Sequence, residues 1–600
     1  MAATPSHLQP MAPVHPSHHS HPAHHAHWPK GVPHDLRVPQ VTLNHYVQTA
    51  ALRYPDKPAL IFAEQVLTYR QLNQQIEAVA AYLQQTLGVV RGDRVLLMSQ
   101  NCPQFVIAFY AVMRVGAAVV PVNPMSTLPE LTYYAENSGA KVAVVAQEVL
   151  PPLQPLIGRE GSSLTAALVL AYSEGLSASG LETLPPAMRL AATALDDARL
   201  HAFADAAAFG NAAAFGGAVQ EVGCTPDDLA LLPYTSGTTG HPKGCCHTHR
   251  TVLASNIASQ VWRGLHADAV FLCVAPLFHM LGMQNGMNMP LTLGATIVMM
   301  PRWDAARAVA LVERYRVTVW TAPPAMVIDF FAQPAAHTSD LSSLALLSGG
   351  GAAMPEAVAK MLFEQFGLSY NEAYGLSETA AFLHANPLAR GKRQCLGMPT
   401  QGVDSRIVDP ETLRELPQGE VGELVTRGAQ VMQGYWRNPQ ADEEAFITLD
   451  GERYFRTGDL ALVDEEGYFF MRDRLKRMIN ASGLKVWPAE VENAMYEHPA
   501  VHEACVIAVP DAKRGETVMA LLVLKPGLRG QVTEQEVIDW GRQRMAVYKA
   551  PRLVRFVDSL PKSGTGKILW RQLQEQEQAQ IAAQAHSSAS TSQETPCAFP

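Results

Sequence analysis

Charge of either sign is scarce in this sequence, and so is any pattern of paired cysteines. Aspartate, glutamate, lysine and arginine make up 17% of the 600 residues, and the formal net charge is −9. Without an excess of basic residues the chain has no positive field to hold nucleic acid, so that class of partner is excluded. The eight cysteines form no Cys-x-x-Cys pair, which indicates free thiols in a reducing cytoplasm and not a secreted disulfide framework.

Long apolar runs are also missing. The best candidate, residues 105–122, contains Arg114 and therefore predicts a buried helix that runs into a strand, with no integral membrane segment. No apolar signal-peptide core follows the N-terminus, where residues 1–34 hold nine histidines among proline, serine and alanine. This composition predicts a disordered tail, with metal binding by the histidines as the alternative.

The length of the chain and its apolar share predict several domains with large cores, because 48% of the residues are hydrophobic. Short apolar segments alternate with helical patterns between residues 40 and 400, which predicts a layered α/β fold. Strands are expected at residues 95–98, 118–122, 142–145, 229–233, 270–275, 296–300, 317–321 and 344–348, and helices at 72–87, 251–262 and 352–366.

The pattern changes twice toward the C-terminus. Residues 402–470 show short strand patterns with frequent glycine and aspartate turns, which predict a small β-rich subdomain within a large N-terminal domain, residues 35–472. Residues 473–575 predict a small α+β domain, and residues 576–600 a tail. Within the small domain we expect helices at 488–497 and 534–544 and strands at 505–509, 517–524 and 553–556.

The most informative segment is the run of glycine and hydroxyl residues at 235–240. It lies within Tyr234-Thr-Ser-Gly-Thr-Thr-Gly-His-Pro-Lys-Gly244, between a predicted strand and a predicted helix. Such a loop can present successive backbone N–H groups and hydroxyls to a polyphosphate. A flexible linker is the alternative interpretation. A Walker loop is excluded, because the Gly-x4-Gly-Lys-Ser/Thr pattern fits nowhere in the segment.

This segment resembles the signature of the AMP-forming adenylating enzymes, which include acyl-CoA synthetases, amino-acid-activating domains and beetle luciferases. Further motifs of that superfamily follow in order, namely Tyr374-Gly-Leu-Ser-Glu378, Tyr454-Phe-Arg-Thr-Gly-Asp459, Asp473-Arg-Leu-Lys476, Ser482-Gly-Leu-Lys485 and Pro561-Lys-Ser-Gly-Thr-Gly-Lys567. The resemblance covers roughly residues 40–575, so the chain is identified as a member. It implies a large N-terminal domain of layered α/β subdomains and a small, mobile C-terminal domain.

The resemblance implies that ATP and Mg²⁺ bind around these motifs. The residues expected to hold the phosphates of ATP are Thr235, Ser236, Gly237, Thr238, Thr239, Gly240 and Lys243. The residues expected around the adenosine are Gly349, Gly350, Gly351, Tyr374, Gly375 and Ser377, with Asp459 and Arg474 at the ribose. Glu378 and Thr238 are expected to ligate Mg²⁺ and to act in catalysis, since this hard cation prefers oxygen ligands.

Two half-reactions are implied as well, with coenzyme A as the co-substrate of the second. Lys567 is the expected catalytic residue of adenylate formation. Lys476 is the expected hinge about which the small domain rotates between the steps. After the rotation, Gly483 and Lys485 are expected to face the pantetheine arm of coenzyme A.

The acid is expected to bind beside His279, Met283, Gly286 and Gly350, in the region that resembles the acyl pocket of the family. Methionines at 280, 283, 287 and 289 predict an apolar, adaptable wall, and no aspartate between residues 276 and 290 is present to meet an amino group. We therefore expect a medium- or long-chain fatty acid, as in bacterial fatty-acid–CoA ligases. The alternatives are an aryl or other carboxylate, or an acyl-adenylate transferred to a separate carrier protein. Peripheral membrane contact and a homo-oligomer stay open.

Overall fold

The structure is a computed structural model that describes residues 22–209, 219–235, 241–351, 353–481, 484–511, 515–562 and 568–590. The chain folds as two compact units. The first unit comprises Met1–Arg406, Val425–Arg456 and Glu465–Phe469, and the second comprises Ile407–Leu424, Thr457–Asp464 and Phe470–Pro600. Both units contain helices and sheets, so the predicted α/β class is confirmed.

A nine-stranded sheet forms one layer of the first unit. Its central strands run parallel, with Leu272 opposite Trp320 and Trp320 opposite Leu347. Central parallel strands are covered on both faces, which explains why they read as continuous apolar runs in the sequence. The strand order is Met398–Pro399, His384–Ala385, Tyr370–Tyr374, Leu346–Gly349, Val319–Thr321, Val270–Cys273, Thr296–Met299, Pro58–Phe62 and Gln65–Thr68.

A seven-stranded sheet forms a second layer of the first unit. One buried cluster contains side chains of both sheets, among them Phe62 and Val95, so the two sheets share a core. The strand order is His247–Thr248, Leu229–Leu231, Ala118–Pro121, Arg94–Met98, Val142–Ala146, Ala166–Leu170 and Leu200–Ala202.

Amphipathic helices pack against these sheets. Helix Tyr69–Gln85 begins at a capping box formed by Thr68 and Gln71, and it buries residues at helical spacing, such as Leu72 and Ile76. Among the described residues, no helix has both the length and the apolar composition that a membrane crossing needs. The α-helices of the first unit are Pro22–His25, Leu43–Arg53, Tyr69–Gln85, Pro103–Arg114, Leu128–Ser138, Ala178–Glu182, Phe203–Ala208, His249–Arg263, Met280–Met283, Met289–Leu293, Ala305–Arg314, Pro324–Phe331, Glu356–Phe366 and Pro439–Ala445.

Every strand and helix predicted between residues 72 and 366 is present, with ends shifted by a few residues. Farther along the chain, the predicted β-rich region contains the strands Asp404–Val408, Gly422–Arg427, Phe446–Leu449, Glu452–Val463 and Phe469–Arg474. Phe446–Leu449 forms a hairpin with the start of Glu452–Val463, in which Phe446 lies opposite Phe455.

The second unit has its own mixed sheet. Its strand order is Leu484–Val486, Ile479–Ala481, Gly515–Leu524 and Val501–Asp511, and Leu553–Phe556 pairs with Gly515–Leu524 in parallel. The helices are Pro488–Tyr496, Glu534–Arg544 and Trp570–Ser590. The predicted helices and strands of residues 488–556 are all found.

Residues 22–34 belong to the segment for which the sequence predicts a disordered tail, and the structure gives them specific contacts. His24 is buried, and Trp28 meets Trp262 edge to face with ring centroids 4.8 Å apart. The backbone N–H of Gly402 also donates to His34 O at 2.9 Å. Trp28 anchors the segment by aromatic packing, which the polar composition of the segment did not indicate. Residues 1–21 lie outside the described residues.

Candidate active site

The two edges of the predicted phosphate loop form a short hairpin. Strand Tyr234–Thr235 pairs with strand Lys243–Gly244, and Thr235 lies opposite Lys243. The Lys243 ammonium lies 5.1 Å from the centroid of the Tyr435 ring, which is within cation–π range. The remaining loop residues, Ser236, Gly237, Thr238, Thr239 and Gly240, lie outside the described residues.

Glu378 lies against this hairpin. The Thr235 hydroxyl donates to Glu378 Oε1 over 3.5 Å, although 143 residues separate the two in sequence. The Tyr435 hydroxyl donates to the same oxygen at 3.1 Å. Burial, and next the negative charge of Glu378, raise the pKa of Tyr435, so the phenol stays protonated and remains a donor. The structure therefore brings together the predicted residues Thr235, Lys243 and Glu378.

Tyr435 is a site residue that the sequence analysis missed. The backbone places it, because Tyr435 forms an antiparallel bridge with Cys245 and the N–H of Trp436 donates to Gly244 O at 2.7 Å. A tyrosine followed by a tryptophan is more often a core element than a ligand-binding one. No chemical signal in the segment distinguishes the two cases.

The turn that carries Ser377 and Glu378 is fixed by a buried histidine. His247 Nε2 lies 2.6 Å from Ser377 O, and its Nδ1 lies 3.0 Å from the Thr251 hydroxyl. Burial lowers the pKa of His247 to about 4, so the ring is neutral near pH 7 and donates one N–H. Sequence reasoning missed His247 too, since a lone histidine beside a strand carries no motif.

The predicted adenine loop approaches the strand that ends at Tyr374. A Cβ atom on Gly350 would lie 2.2 Å from Ala373 O, and one on Gly375 would lie 2.1 Å from Ala381 O. Both positions therefore require glycine. Tyr374 is buried, with its ring centroid 5.6 Å from that of His384, and Gly349 and Gly351 flank Gly350 at the end of strand Leu346–Gly349.

In the second unit, the two predicted ribose residues form an ion pair. Arg474 Nε lies 2.9 Å from Asp459 Oδ1, and the Asp459 side chain is fully buried while that of Arg474 is half exposed. The structure therefore brings these two predicted site residues into direct contact.

The predicted hinge residue, Lys476, lies in the single 3₁₀ turn Leu475–Arg477 and is exposed. Residues on both sides of it bond to helix Pro488–Tyr496: Asp473, three residues before, accepts from the N–H of Ala489 at 2.7 Å, and Arg477, directly after, pairs with Glu492 at 2.5 Å. Lys485 is also exposed. Gly483 and Lys567 lie outside the described residues.

The residues of the predicted acyl wall differ from one another in burial. His279 is exposed at the start of helix Met280–Met283, whereas Met280, Met283 and Met287 belong to the main core and Met289 belongs to another cluster. A Cβ atom on Gly286 would lie 3.0 Å from the Cys273 sulfur, so this glycine serves helix–strand packing.

Residues Gln284–Asn288 form a π-helical turn that continues helix Met280–Met283. Such turns are frequent at functional sites. The turn buries Gln284, Asn285 and Asn288, so it presents a polar face that the methionine pattern did not predict.

The comparisons with known proteins agree with this geometry. Residues 47–436 match the family model described as AMP-binding enzyme, and residues 490–567 match the AMP-binding enzyme C-terminal domain. The chain is 33% identical to a long-chain-fatty-acid–CoA ligase of Bacillus subtilis over 92% of its own length and 97% of the relative's. It is also 33% identical to 4-coumarate–CoA ligase 1 of Oryza sativa, over 85% and 87% of the two lengths.

Among solved structures, ATP-bound MatB from Rhodopseudomonas palustris superposes with a TM-score of 0.77 at 26% identity. The match covers 90% of this chain and 99% of MatB. The fold, the paired family models and the full-length relatives agree with one another. The chain belongs to the AMP-binding enzyme family.

Proposed function

We propose that this AMP-binding enzyme is an AMP-forming acid–CoA ligase that activates a medium- or long-chain fatty acid. The contact between Thr235 and Glu378 carries the proposal. It places a carboxylate at the edge of the loop whose N–H groups and hydroxyls suit a polyphosphate. Such a site can align an acid for attack on the α-phosphorus of ATP, with pyrophosphate as the leaving group.

Mg²⁺ fits this arrangement. Glu378 and the hydroxyl of Thr235 supply hard oxygen donors, and Thr238 is the further ligand that we propose. In the ranges that the structure covers, no group of three or more His, Cys, Asp or Glu residues can hold a metal ion. A magnesium ion here would therefore take its other ligands from phosphate and water, as this ion commonly does. Bound Mg²⁺ would neutralise phosphate charge.

The protein's own residues have distinct parts in the first step. Lys243 adds positive charge beside the loop, and Tyr435 orients Glu378. The Asp459 carboxylate is suited to accept hydrogen bonds from ribose hydroxyls, with Arg474 holding its geometry. Lys567 is proposed to stabilise charge between the acid and the α-phosphate.

The second step is proposed to use the thiol of coenzyme A. The thiol attacks the acyl carbon of the adenylate, a thioester bond forms, the acyl–phosphate bond breaks and AMP leaves. Lys476 would serve as the hinge that exchanges Lys567 for Lys485 near the adenylate.

The preference for a fatty acid rests on the Bacillus subtilis relative, of whose length 97% is covered, and on the lack of an aspartate between residues 276 and 290. The 4-coumarate–CoA ligase relative has the same identity, so an aryl acid is the second candidate.

A substrate panel tests the proposal. Purified enzyme is assayed for ATP–pyrophosphate exchange and for AMP release with and without coenzyme A, using acetate, decanoate, palmitate, 4-coumarate and an amino acid. We expect exchange with decanoate or palmitate and AMP release that requires coenzyme A. Exchange with 4-coumarate alone would show that the substrate is an aryl acid and not a fatty acid. No exchange with any acid would overturn the proposal.

A further inference from the structure

Among the residues that the structure describes, the buried cation Arg263 has no carboxylate partner. Its side chain ends helix His249–Arg263, and the residue is 5% exposed. Nη1 donates to the neutral Asn285 Oδ1 at 3.0 Å, and the guanidinium carbon lies 5.0 Å from the centroid of the Phe382 ring. Within the described part of the chain, Nε has no hydrogen-bond partner. Burial lowers the pKa of Arg263 to about 10, and no carboxylate opposes this shift.

Two more unpaired donors lie on the same face of that helix. Asn256 is 1% exposed and Ser259 is 3% exposed. The spacing of three and four residues aligns Asn256, Ser259 and Arg263 along one helix face. Asn256 Nδ2 and Ser259 Oγ have no hydrogen-bond partner among the residues that the structure covers. Buried donors without acceptors are costly, and a buried arginine is normally paired.

These donors lie beside the segment in which the sequence predicts the acid to bind. Asn285, which contacts Arg263, belongs to the π-helical turn that follows Met283. Phe382 follows Glu378 by four residues. Arg263 is also within electrostatic range of Tyr370. The Tyr370 hydroxyl lies 2.2 Å from the place where a Cβ atom of Gly349 would be, so it borders the predicted glycine loop.

We propose that Arg263, with Asn256 and Ser259, binds a second carboxylate at the far end of the acid substrate, which would make the preferred substrate a dicarboxylic fatty acid. The inference rests on the proposed acid–CoA ligase function. An anion is the group that a buried, unpaired guanidinium requires, and a planar carboxylate matches its fork of N–H donors. Met283 and Met287 flank Asn285 in the same helical segment, and flexible side chains of this type can adjust to an alkyl chain.

The test compares three acids of equal chain length, namely decanoic, ω-hydroxydecanoic and decanedioic acid, in coenzyme A-dependent AMP release. With wild-type enzyme we expect kcat/KM for the diacid to exceed that for decanoic acid about tenfold or more. This ratio corresponds to the free energy of a hydrogen bond to a charged group. Arg263→Met should abolish this preference by raising KM for the diacid. Arg263→Lys should restore part of it, because lysine keeps the charge but not the fork.

Arg250→Met is the matched control, since Arg250 lies on the same helix but pairs with Asp227 at the surface. It should keep the preference for the diacid. Ser259→Ala is a milder change that serves as the test if Arg263→Met fails to fold. It should lower the preference for the diacid.

A wild-type enzyme that uses decanoate but not the diacid would overturn the inference and leave the ligase function intact. A preference for the ω-hydroxy acid over the diacid would also overturn it, because the site would then recognise a neutral group. Exchange with no acid at all would refute the proposed function itself.

Discussion

Tyr435 and Glu378 share a hydrogen bond of 3.1 Å, although 57 residues separate them in sequence. Thr235 reaches the same carboxylate oxygen at 3.5 Å. Two hydroxyl donors from different segments therefore orient one carboxylate at the edge of the predicted phosphate loop. Partners of this kind, which orient a metal-binding carboxylate, commonly tune its affinity for the metal.

Tyr435→Phe should weaken the use of MgATP without unfolding the protein. The change removes one hydrogen bond to a charged group, so we expect KM for MgATP in ATP–pyrophosphate exchange to rise about tenfold. The effect should shrink as Mg²⁺ is raised, because Tyr435 acts through Glu378.

Tyr468→Phe is the control, since its hydroxyl donates to Arg390 O and not to Glu378. If both variants have the same KM for MgATP as the wild type, Tyr435 has no part in binding it.

The ion pair between Asp459 and Arg474 leads to a prediction about the sugar of the nucleotide. If Asp459 accepts hydrogen bonds from the ribose, wild-type enzyme should prefer ATP to its deoxyribose analogues, and Asp459→Asn should lose most of that preference. We expect KM for ATP to rise about tenfold in the variant, because that change corresponds to the free energy of one charge-assisted hydrogen bond. Exchange rates with ATP, 2′-deoxy-ATP and 3′-deoxy-ATP measure it.

Asp558→Asn controls for the loss of a carboxylate in the second unit, because Asp558 is exposed and pairs with Arg529. An unchanged preference in Asp459→Asn would remove the ribose contact from the proposed site.

His247 should make the folded state sensitive to acid. Its pKa is about 4 when buried and 6.5 in an unfolded chain. Between these values the unfolded state binds a proton that the folded state does not, so the free energy of unfolding falls as the pH falls from 6.5 to 4. One such ring contributes about 3 kcal/mol of this loss by pH 4. His247→Gln keeps a donor for Ser377 O and should flatten the pH dependence of the urea midpoint.

The exposed His266 provides the control, His266→Gln. If it flattens the pH dependence as much as His247→Gln does, burial of His247 is not the cause.

Local pattern predicted the elements of the fold because the forces that set them are local or periodic. Strand Val270–Cys273 is an apolar run, and Tyr69–Gln85 repeats buried residues at helical spacing. The motifs likewise placed Thr235 and Glu378 in one site, and the structure joins them.

Long-range partners could not be predicted. Tyr435 meets Glu378 because of a backbone bridge to Cys245, which no spacing rule contains. The methionines of residues 280–289 predict an apolar wall, and the structure adds that Met283 lies in the main core and that Asn285 accepts a hydrogen bond from Arg263. Which face of a helix meets the ligand depends on the neighbouring helix, and a single sequence does not show it.

The hinge prediction separates the two half-reactions. Lys476 is exposed in a 3₁₀ turn, and Asp473 before it and Arg477 after it both bond to helix Pro488–Tyr496, so rotation at Lys476 would have to break the hydrogen bond between Asp473 and Ala489. Lys476→Pro fixes φ at this position and should leave ATP–pyrophosphate exchange within about twofold of wild type while slowing thioester formation from supplied acyl-adenylate at least about tenfold. Lys567→Ala should show the reverse, losing exchange and keeping thioester formation. If Lys476→Pro forms acyl-CoA from acid, ATP and coenzyme A at the wild-type rate, the hinge lies elsewhere.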